Sequence, residues 1–312
     1  MSLYQKYRPT TFDDMVGNAA EIESLKTALS RKNRPHAYLF VGPPGCGKTT
    51  AARICAQEVG SGELSRMEIN SANNRGIDTA RQIIDQSRYM PTDGDAAVFI
   101  LDECHLWTKE MGNAMLKPLE DIPEHVFFFL CTTNPEKLLP AVKSRCTEFK
   151  FSALPTEDIL FLLRRVNREE QLGVDKPLLV AIAENSDGGA RRALVMLEKI
   201  AGMSDPDAQM KIIQAGGMDE ENPEAIELAR LLVKESTPWA DMAALIKRMS
   251  VDNTNAEGIR QVIIGYMTSV LLSGKRNDRV GVALEYFTAA PFYESGKARL
   301  TLACYQSVFG NG

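Results

Sequence analysis

The chain has 312 residues, 44% of them hydrophobic and 25% charged, with a formal net charge of −5. That length suits two or three domains, and the balance excludes a disordered tail protein, a collagen-like fibre and a globally basic nucleic-acid binder. No apolar run approaches the ~18 residues of a membrane span, the start Met1-Ser2-Leu3-Tyr4-Gln5-Lys6 lacks a signal peptide's apolar stretch, and the six cysteines form no C-x-x-C pair, so a cytoplasmic chain with reduced thiols and no membrane partner is expected.

Strand-like and helix-like segments alternate over the first half. Ala37–Val41 reads as a strand running into a glycine-rich loop, and 49–59 as the helix after it. A strand at 67–70 precedes a helix at 77–88. Strands at 97–101 and 126–131 bracket a helix at 109–119, and 149–151 is a candidate fifth strand. Such alternation implies a parallel sheet covered on both faces. Beyond Leu154-Pro155 only helical periods remain, at 156–170, 177–185, 190–201 and 207–215. A second break falls at 215–219, and the rest reads as helices divided by Ser236-Thr237-Pro238 and Ser273-Gly274-Lys275. The expected layout is an α/β domain over 1–153, a helical domain over 154–216 and a second helical domain over 217–312.

Gly42-Pro43-Pro44-Gly45-Cys46-Gly47-Lys48-Thr49 fits G-x-x-x-x-G-K-[ST], and it sits between a strand and a helix, where that pattern has meaning. The glycines let backbone N–H groups curl toward phosphates, and the helix N-terminus adds a positive dipole end. Lys48 would reach the β- and γ-phosphates, and the Thr49 hydroxyl would ligate Mg²⁺. Val98-Phe99-Ile100-Leu101-Asp102-Glu103 is the matching apolar strand ending in two acids. Asp102 would hold the cation and Glu103 would polarise an attacking water. Asp102-Glu103-Cys104-His105 also looks like a helicase box. A two-domain helicase needs a second α/β domain that the helical remainder cannot supply, so His105 reads as a packing or capping residue.

Together these residues resemble the AAA+ ATPase subunits of DNA sliding-clamp loaders, over residues 3–200. Tyr4-Gln5-Lys6-Tyr7-Arg8-Pro9 resembles the family's N-terminal box, and Asn70-Ser71-Ala72-Asn73-Asn74-Arg75-Gly76-Ile77-Asp78 resembles a stretch of replication factor C small subunits. Asn113-Ala114-Met115-Leu116-Lys117-Pro118-Leu119-Glu120 and Ser144-Arg145-Cys146 are similar to the bacterial gamma/tau subunit. The resemblance implies an α/β P-loop AAA+ core with a parallel sheet, an α-helical lid and an α-helical C-terminal collar, the collar by position only. It implies ATP-dependent loading of a ring-shaped clamp onto primer-template DNA in replication, by copies of this chain and other subunits in a pentameric ring. Competing readings are another AAA+ DNA motor, such as a branch-migration helicase, and a non-hydrolysing nucleotide-binding scaffold.

Residue roles follow from the same resemblance. ATP and Mg²⁺ would be bound by the P-loop (Walker A) residues Gly42, Pro43, Pro44, Gly45, Cys46, Gly47, Lys48, Thr49 and Thr50 and the Walker B acids Asp102 and Glu103. Tyr4, Gln5, Lys6, Tyr7, Arg8, Pro9 and Val16 would wrap the base and ribose, or form an arm that merely packs on the core. Arg145 would be the arginine finger reaching a neighbour's site, with Lys117 a second candidate for that interface or a solvated helix lysine. Thr133 or Asn134 would be sensor 1 and Arg191 sensor 2, with Arg192 exposed. Arg75, Arg81 and Lys109 are candidates for DNA, and Ile83, Ile84, Tyr89 and Met90 for the clamp. Arg75 is expected near Glu103, restraining it until DNA binds. The bacterial subunit's four-cysteine zinc module has no counterpart in 57–67, which lacks cysteine, so no zinc is expected.

Overall fold

The computed structural model describes residues 1–203, 205–214, 223–234, 237–249, 251, 256–272, 277–289, 292 and 296–309. The expected break at 215–219 and the division at 273–275 lie outside them. The chain forms two compact units, residues 1–210 and 211–312.

The first unit carries helix α1 (Leu3–Lys6), α2 (Ala19–Ser30), strand β1 (Ala37–Val41), α3 (Lys48–Glu58), β2 (Arg66–Asn70), α4 (Ile77–Gln86), β3 (Ala97–Asp102), α5 (Lys109–Glu120), β4 (Val126–Thr132), α6 (Pro140–Lys143) and β5 (Thr147–Lys150). Helices α7 (Thr156–Glu169), α8 (Lys176–Asn185) and α9 (Ala190–Ile200) follow, and α10 (Pro206–Gln214) runs across the division between the units.

The strands make one parallel sheet in the order β2-β3-β4-β1-β5. Helices cover both faces, so the central strands are apolar without alternation. In β4, Phe127, Phe129 and Cys131 join a core with Ile22, Leu25 and Ile54, while Val126, Phe128 and Leu130 join the opposite core with Met111, Met115 and Ile83. This order places the ends of β1, β3 and β4 side by side, and the loop, the acids and the 132–134 segment leave the sheet at one edge. Ligands of open parallel sheets bind at such strand ends.

Several elements differ from the sequence reading, the short helices α1 and α6 among them. The fifth strand is Thr147–Lys150 rather than 149–151; it is an edge strand in which Phe149 alone is buried. Helix α4 stops at Gln86, so Tyr89 and Met90 lie beyond its end. Helix α2 was not anticipated, although Ile22, Leu25 and Leu29 recur at helical spacing and are buried.

Helices α7–α9 bury Ile159, Leu163 and Val166 of α7, Leu179 and Ile182 of α8, and Met196, Leu197 and Ile200 of α9. Helix α1 returns to this group: Leu3 is buried, and its backbone N–H donates to Glu198 Oε2 at 3.3 Å. The second unit holds α11 (Pro223–Val233), α12 (Trp239–Arg248), α13 (Ala256–Leu272), α14 (Asp278–Thr288) and α15 (Gly296–Phe309) around a core that includes Leu228, Leu232, Met242, Ile263, Met267 and Phe287. One buried cation crosses that core. Arg260 donates from Nη1 to the Phe287 carbonyl at 2.7 Å and from Nε to Glu257 at 2.9 Å. Burial raises the Glu257 pKa, but the hydrogen bonds from Arg260 and from the Phe292 N–H outweigh it and leave it below the usual range.

Candidate nucleotide site

The loop between β1 and α3 is shaped by backbone demands that glycine meets. At Gly42 a Cβ would fall 2.2 Å from the Phe151 carbonyl oxygen, and Gly47 has φ +105°. Lys48 is buried, and its Nζ donates to the carbonyls of Gly42 and Pro43 at 2.8 Å each. Gly42 and Pro43 thus serve through their carbonyls and do not line the cavity. The cap position of α3 is Gly47, which offers no side-chain acceptor, so the first N–H groups of the helix remain available to an anion.

Thr49 Oγ1 donates to Asp102 Oδ2 at 2.9 Å, and the Glu103 N–H donates to Asp102 Oδ1 at 3.0 Å. Burial raises the Asp102 pKa; the Thr49 hydrogen bond opposes this and the Glu103 charge adds to it. Thr49 and Asp102 supply two hard oxygen donors beside the loop, a set suited to Mg²⁺. Glu103 has φ +51°, a left-handed conformation that is uncommon outside glycine. Thr133 Oγ1 donates to its Oε2 at 3.1 Å, and His105 Nδ1 lies 3.2 Å from the same oxygen. Burial raises the Glu103 pKa, but His105, Lys48 and Thr133 outweigh it and hold the group below the usual carboxylate value.

A cavity of about 250 Å³ opens above these groups. Its wall combines Tyr4, Tyr7, Arg8, Pro9 and Val16 from the N-terminal segment, Pro44 to Thr50 from the loop and helix start, Asp102 and Glu103, and Arg191 from α9. The Arg191 guanidinium sits 4.8 Å from the Tyr4 ring centroid, a cation–π contact between the N-terminal segment and α9. The Tyr7 hydroxyl donates to Glu170 Oε1 at 2.6 Å, and burial, then this bond, drive its pKa up.

Sequence reasoning missed Asp14, Met15, Leu154, Leu162, Arg165 and Leu194, all of which line the cavity. Arg165 Nε is buried there with no hydrogen-bond partner among the described residues. The signal available was the Arg164-Arg165 pair on an amphipathic helix, whose inward edge carries the second arginine.

Other expected residues lie elsewhere. Gln5 and Lys6 are exposed and outside the cavity, and Lys6 pairs with Glu170 at 2.6 Å instead. Thr133 reaches Glu103 rather than the cavity wall, and the Asn134 N–H donates to Thr132 Oγ1 at 3.0 Å. Arg145 is also outside the cavity, bound to Glu120 at 2.6 Å. Arg192 is exposed and pairs with Asp187. Arg75, Lys109 and Lys117 are exposed, as is Arg81, which pairs with Asp78 at 2.9 Å. The expected restraint of Glu103 by Arg75 is corrected: the groups on Glu103 are His105 and Thr133, and among the described residues Arg75 makes no ion pair. Ile83 is fully buried against the sheet, so it cannot present a docking surface; Ile84 is half-buried, and Tyr89 and Met90 are 72% and 73% exposed. Among the described residues no cluster of three or more His, Cys, Asp or Glu could hold a metal, and no helix is long and apolar enough to cross a membrane.

The parallel sheet, the phosphate loop, the paired acids and the helical group after them define an AAA+ nucleotide-binding fold. Solved structures with that fold include Thermotoga maritima RuvB (TM-score 0.59, 18% identity, 86% of this chain and 92% of that one) and a DNA polymerase III gamma subunit-related protein of the same organism (TM-score 0.55, 19% identity, 92% and 98%). The family model of the DNA polymerase III delta subunit matches residues 57–155. The chain is 34% identical over 229 residues to DNA polymerase III subunit gamma/tau of Mycobacterium tuberculosis (66% of this chain, 40% of the relative). It is 31% identical over 293 residues to subunit tau of Escherichia coli (86% and 45%). It is 37% identical over 205 residues to the replication factor C small subunit of Methanococcus vannielii (64% and 64%). The chain is therefore a homologue of the AAA+ subunits of DNA clamp loaders, and it spans less than half the length of the bacterial relatives.

Proposed function

We propose that the chain is an ATPase subunit of a clamp loader, which uses ATP to place a ring-shaped clamp on primer-template DNA. The carrying observation is the convergence of four polar groups on one cavity from which one cation stands apart. Lys48, Thr49, Asp102 and Glu103 converge on one cavity, while Arg145, the cation suited to charge developing on a γ-phosphate, lies outside it. An arginine so placed acts on a neighbour's nucleotide, which makes turnover depend on assembly.

In this reading Lys48 and the α3 N-terminus hold the phosphates, and Tyr7 and Val16 offer aromatic and apolar surface to the base. Mg²⁺ held by Thr49 and Asp102 would neutralise phosphate charge. Glu103 orients the attacking water, and Thr133 and Arg191 sense the γ-phosphate, Arg191 from α9. Copies of the chain and other subunits form a pentameric ring; Tyr89 and Met90 contact the clamp, and Arg75, Arg81 and Lys109 the DNA backbone.

Steady-state ATP hydrolysis tests this, measured with and without primer-template DNA and clamp, for wild type and Arg145→Ala. Stimulation by both, lost in the variant, supports the reading. DNA-stimulated turnover indifferent to any clamp would favour a branch-migration motor, and nucleotide binding without turnover in the assembled complex a scaffold.

A further inference from the structure

The carboxylate of Glu103 is held on one oxygen by two groups, and the second of them has no role in the reading above. Thr133 Oγ1 gives its only proton to Oε2 at 3.1 Å, and His105 Nδ1 stands 3.2 Å from that same atom. A carboxylate only accepts hydrogen bonds, so a bond from His105 to Glu103 requires the Nδ1–H form, whereas a bare Nδ1 would accept from the Thr132 hydroxyl instead. The imidazole side chain is 12% exposed, which leaves little room for water to take its place. A second contact fixes the ring: Nδ1 lies 3.1 Å from Thr132 Oγ1, itself fully buried and pinned by the Asn134 N–H at 3.0 Å. The segment 132–134 is therefore joined to Glu103 by two routes, one through Thr133 and one through Thr132 and His105.

We propose that His105 is a positioning residue, which keeps Glu103 aimed through an Nδ1–H hydrogen bond when the Thr133 hydroxyl turns to other work. The inference deepens the ATPase reading and rests on it. If Thr133 senses a phosphate, its proton leaves Oε2, and of the two bonds only that from His105 remains. Glu103 sits in a left-handed backbone conformation, uncommon outside glycine.

Two measurements on the full chain test it. The sequence has only three histidines, so long-range ¹H–¹⁵N correlation spectra of histidine-labelled protein resolve each ring. His105 is expected to be protonated at Nδ1, and Glu103→Ala to shift it to the Nε2–H form. A bare Nδ1 in the wild type overturns the proposal whether or not the protein turns over ATP. In kinetics, His105→Ala is expected to lower kcat by roughly ten- to a hundredfold while KM for ATP stays within about twofold. His105→Asn, whose amide nitrogen reaches the place of Nδ1, is expected to recover most of the loss. An equal loss in both variants, with a lowered melting point, would assign His105 to packing. A wild type that fails to hydrolyse ATP with DNA and clamp would remove the ATPase reading, while the tautomer result would still stand.

Discussion

Arg145 Nη2 lies 2.6 Å from Glu120 Oε2, so the guanidinium at the end of α6 is tied to the end of α5 in its own chain. The second tie, from Nη1 to the Ala141 carbonyl, is 2.9 Å. The ion pair is partly exposed, with 29% and 61% of the two side chains accessible, and such pairs contribute at most about 1 kcal/mol. Releasing Arg145 to a neighbour is therefore cheap. Glu120→Gln should leave the melting point within a degree or two and should preserve or raise DNA-stimulated ATPase. Arg145→Ala should abolish the stimulation while ATP affinity, measured by titration, stays near wild type. Loss of stimulation in Glu120→Gln would show instead that the pair holds Arg145 in its working position.

Lys48 spans the phosphate loop through two carbonyls. A ligand at a hundredfold excess over Kd stabilises a folded protein by about 2.7 kcal/mol. Mg-ATP should thus raise the melting temperature of the wild type by several degrees. The same addition should leave Lys48→Ala unmoved. A retained shift in the variant would mean that the nucleotide is held without this lysine.

Asp102 carries a raised pKa, caused first by burial. Its ordinary value is 3.8, so the folded state binds a proton more tightly than the unfolded one. The contribution favours the fold below that pH and is lost as pH rises through the raised value; at neutral pH the buried charge is a burden. Asp102→Asn removes the charge and keeps one of the two accepted hydrogen bonds, that from Thr49, while its amide group faces the Glu103 N–H. The nucleotide-free variant should melt higher than wild type at pH 7.5, and the gap should close as pH falls toward 4. ATP turnover should drop by about a hundredfold or more. A variant that melts lower at neutral pH would refute the burial argument.

Arg165 leaves Nε buried and unpartnered in the cavity wall, and a guanidinium can only donate. A bound nucleotide brings acceptors in its base, ribose and phosphates. Arg165→Met keeps most of the side-chain volume and removes the donors. Calorimetric titration should find ATP affinity reduced about five- to tenfold, equivalent to roughly 1 kcal/mol for one hydrogen bond. Unchanged affinity would place the guanidinium in a structural role.

The parts of the molecule legible in the sequence are those where local pattern and tertiary demand coincide. Strand β4 is buried on both faces, so its run of Val126 to Cys131 is apolar throughout and could hardly be anything else. Strand β5 lies at an edge and exposes Thr147, Glu148 and Lys150, which hides it among polar residues. The phosphate loop was readable because its glycines, lysine and threonine are adjacent in the chain. Arg165 and His105 were not, because their meaning lies in what the fold brings opposite them: a cavity walled largely by segments far from α7 in sequence is invisible to periodicity, and so is a carboxylate that shares its oxygen with a threonine just beyond the neighbouring strand. Ile83 shows the opposite error. Amphipathic spacing identified its helix, but Ile83 faces the sheet, and the strongly exposed apolar side chains, Tyr89 and Met90, lie beyond the helix end.

The bond from the Leu3 N–H to Glu198 joins residues 195 positions apart, and the Tyr4 ring beneath Arg191 repeats the connection. During synthesis the N-terminal segment emerges before the rest of its unit, yet the helix it rests on is made near the end of that unit. Until α9 has left the ribosome, Leu3 and Tyr4 lack the partners they close against, while Tyr7 can already meet Glu170 at the end of α7. The side of the cavity that Tyr4 and Arg191 form can therefore close only when almost all of the first unit has been translated.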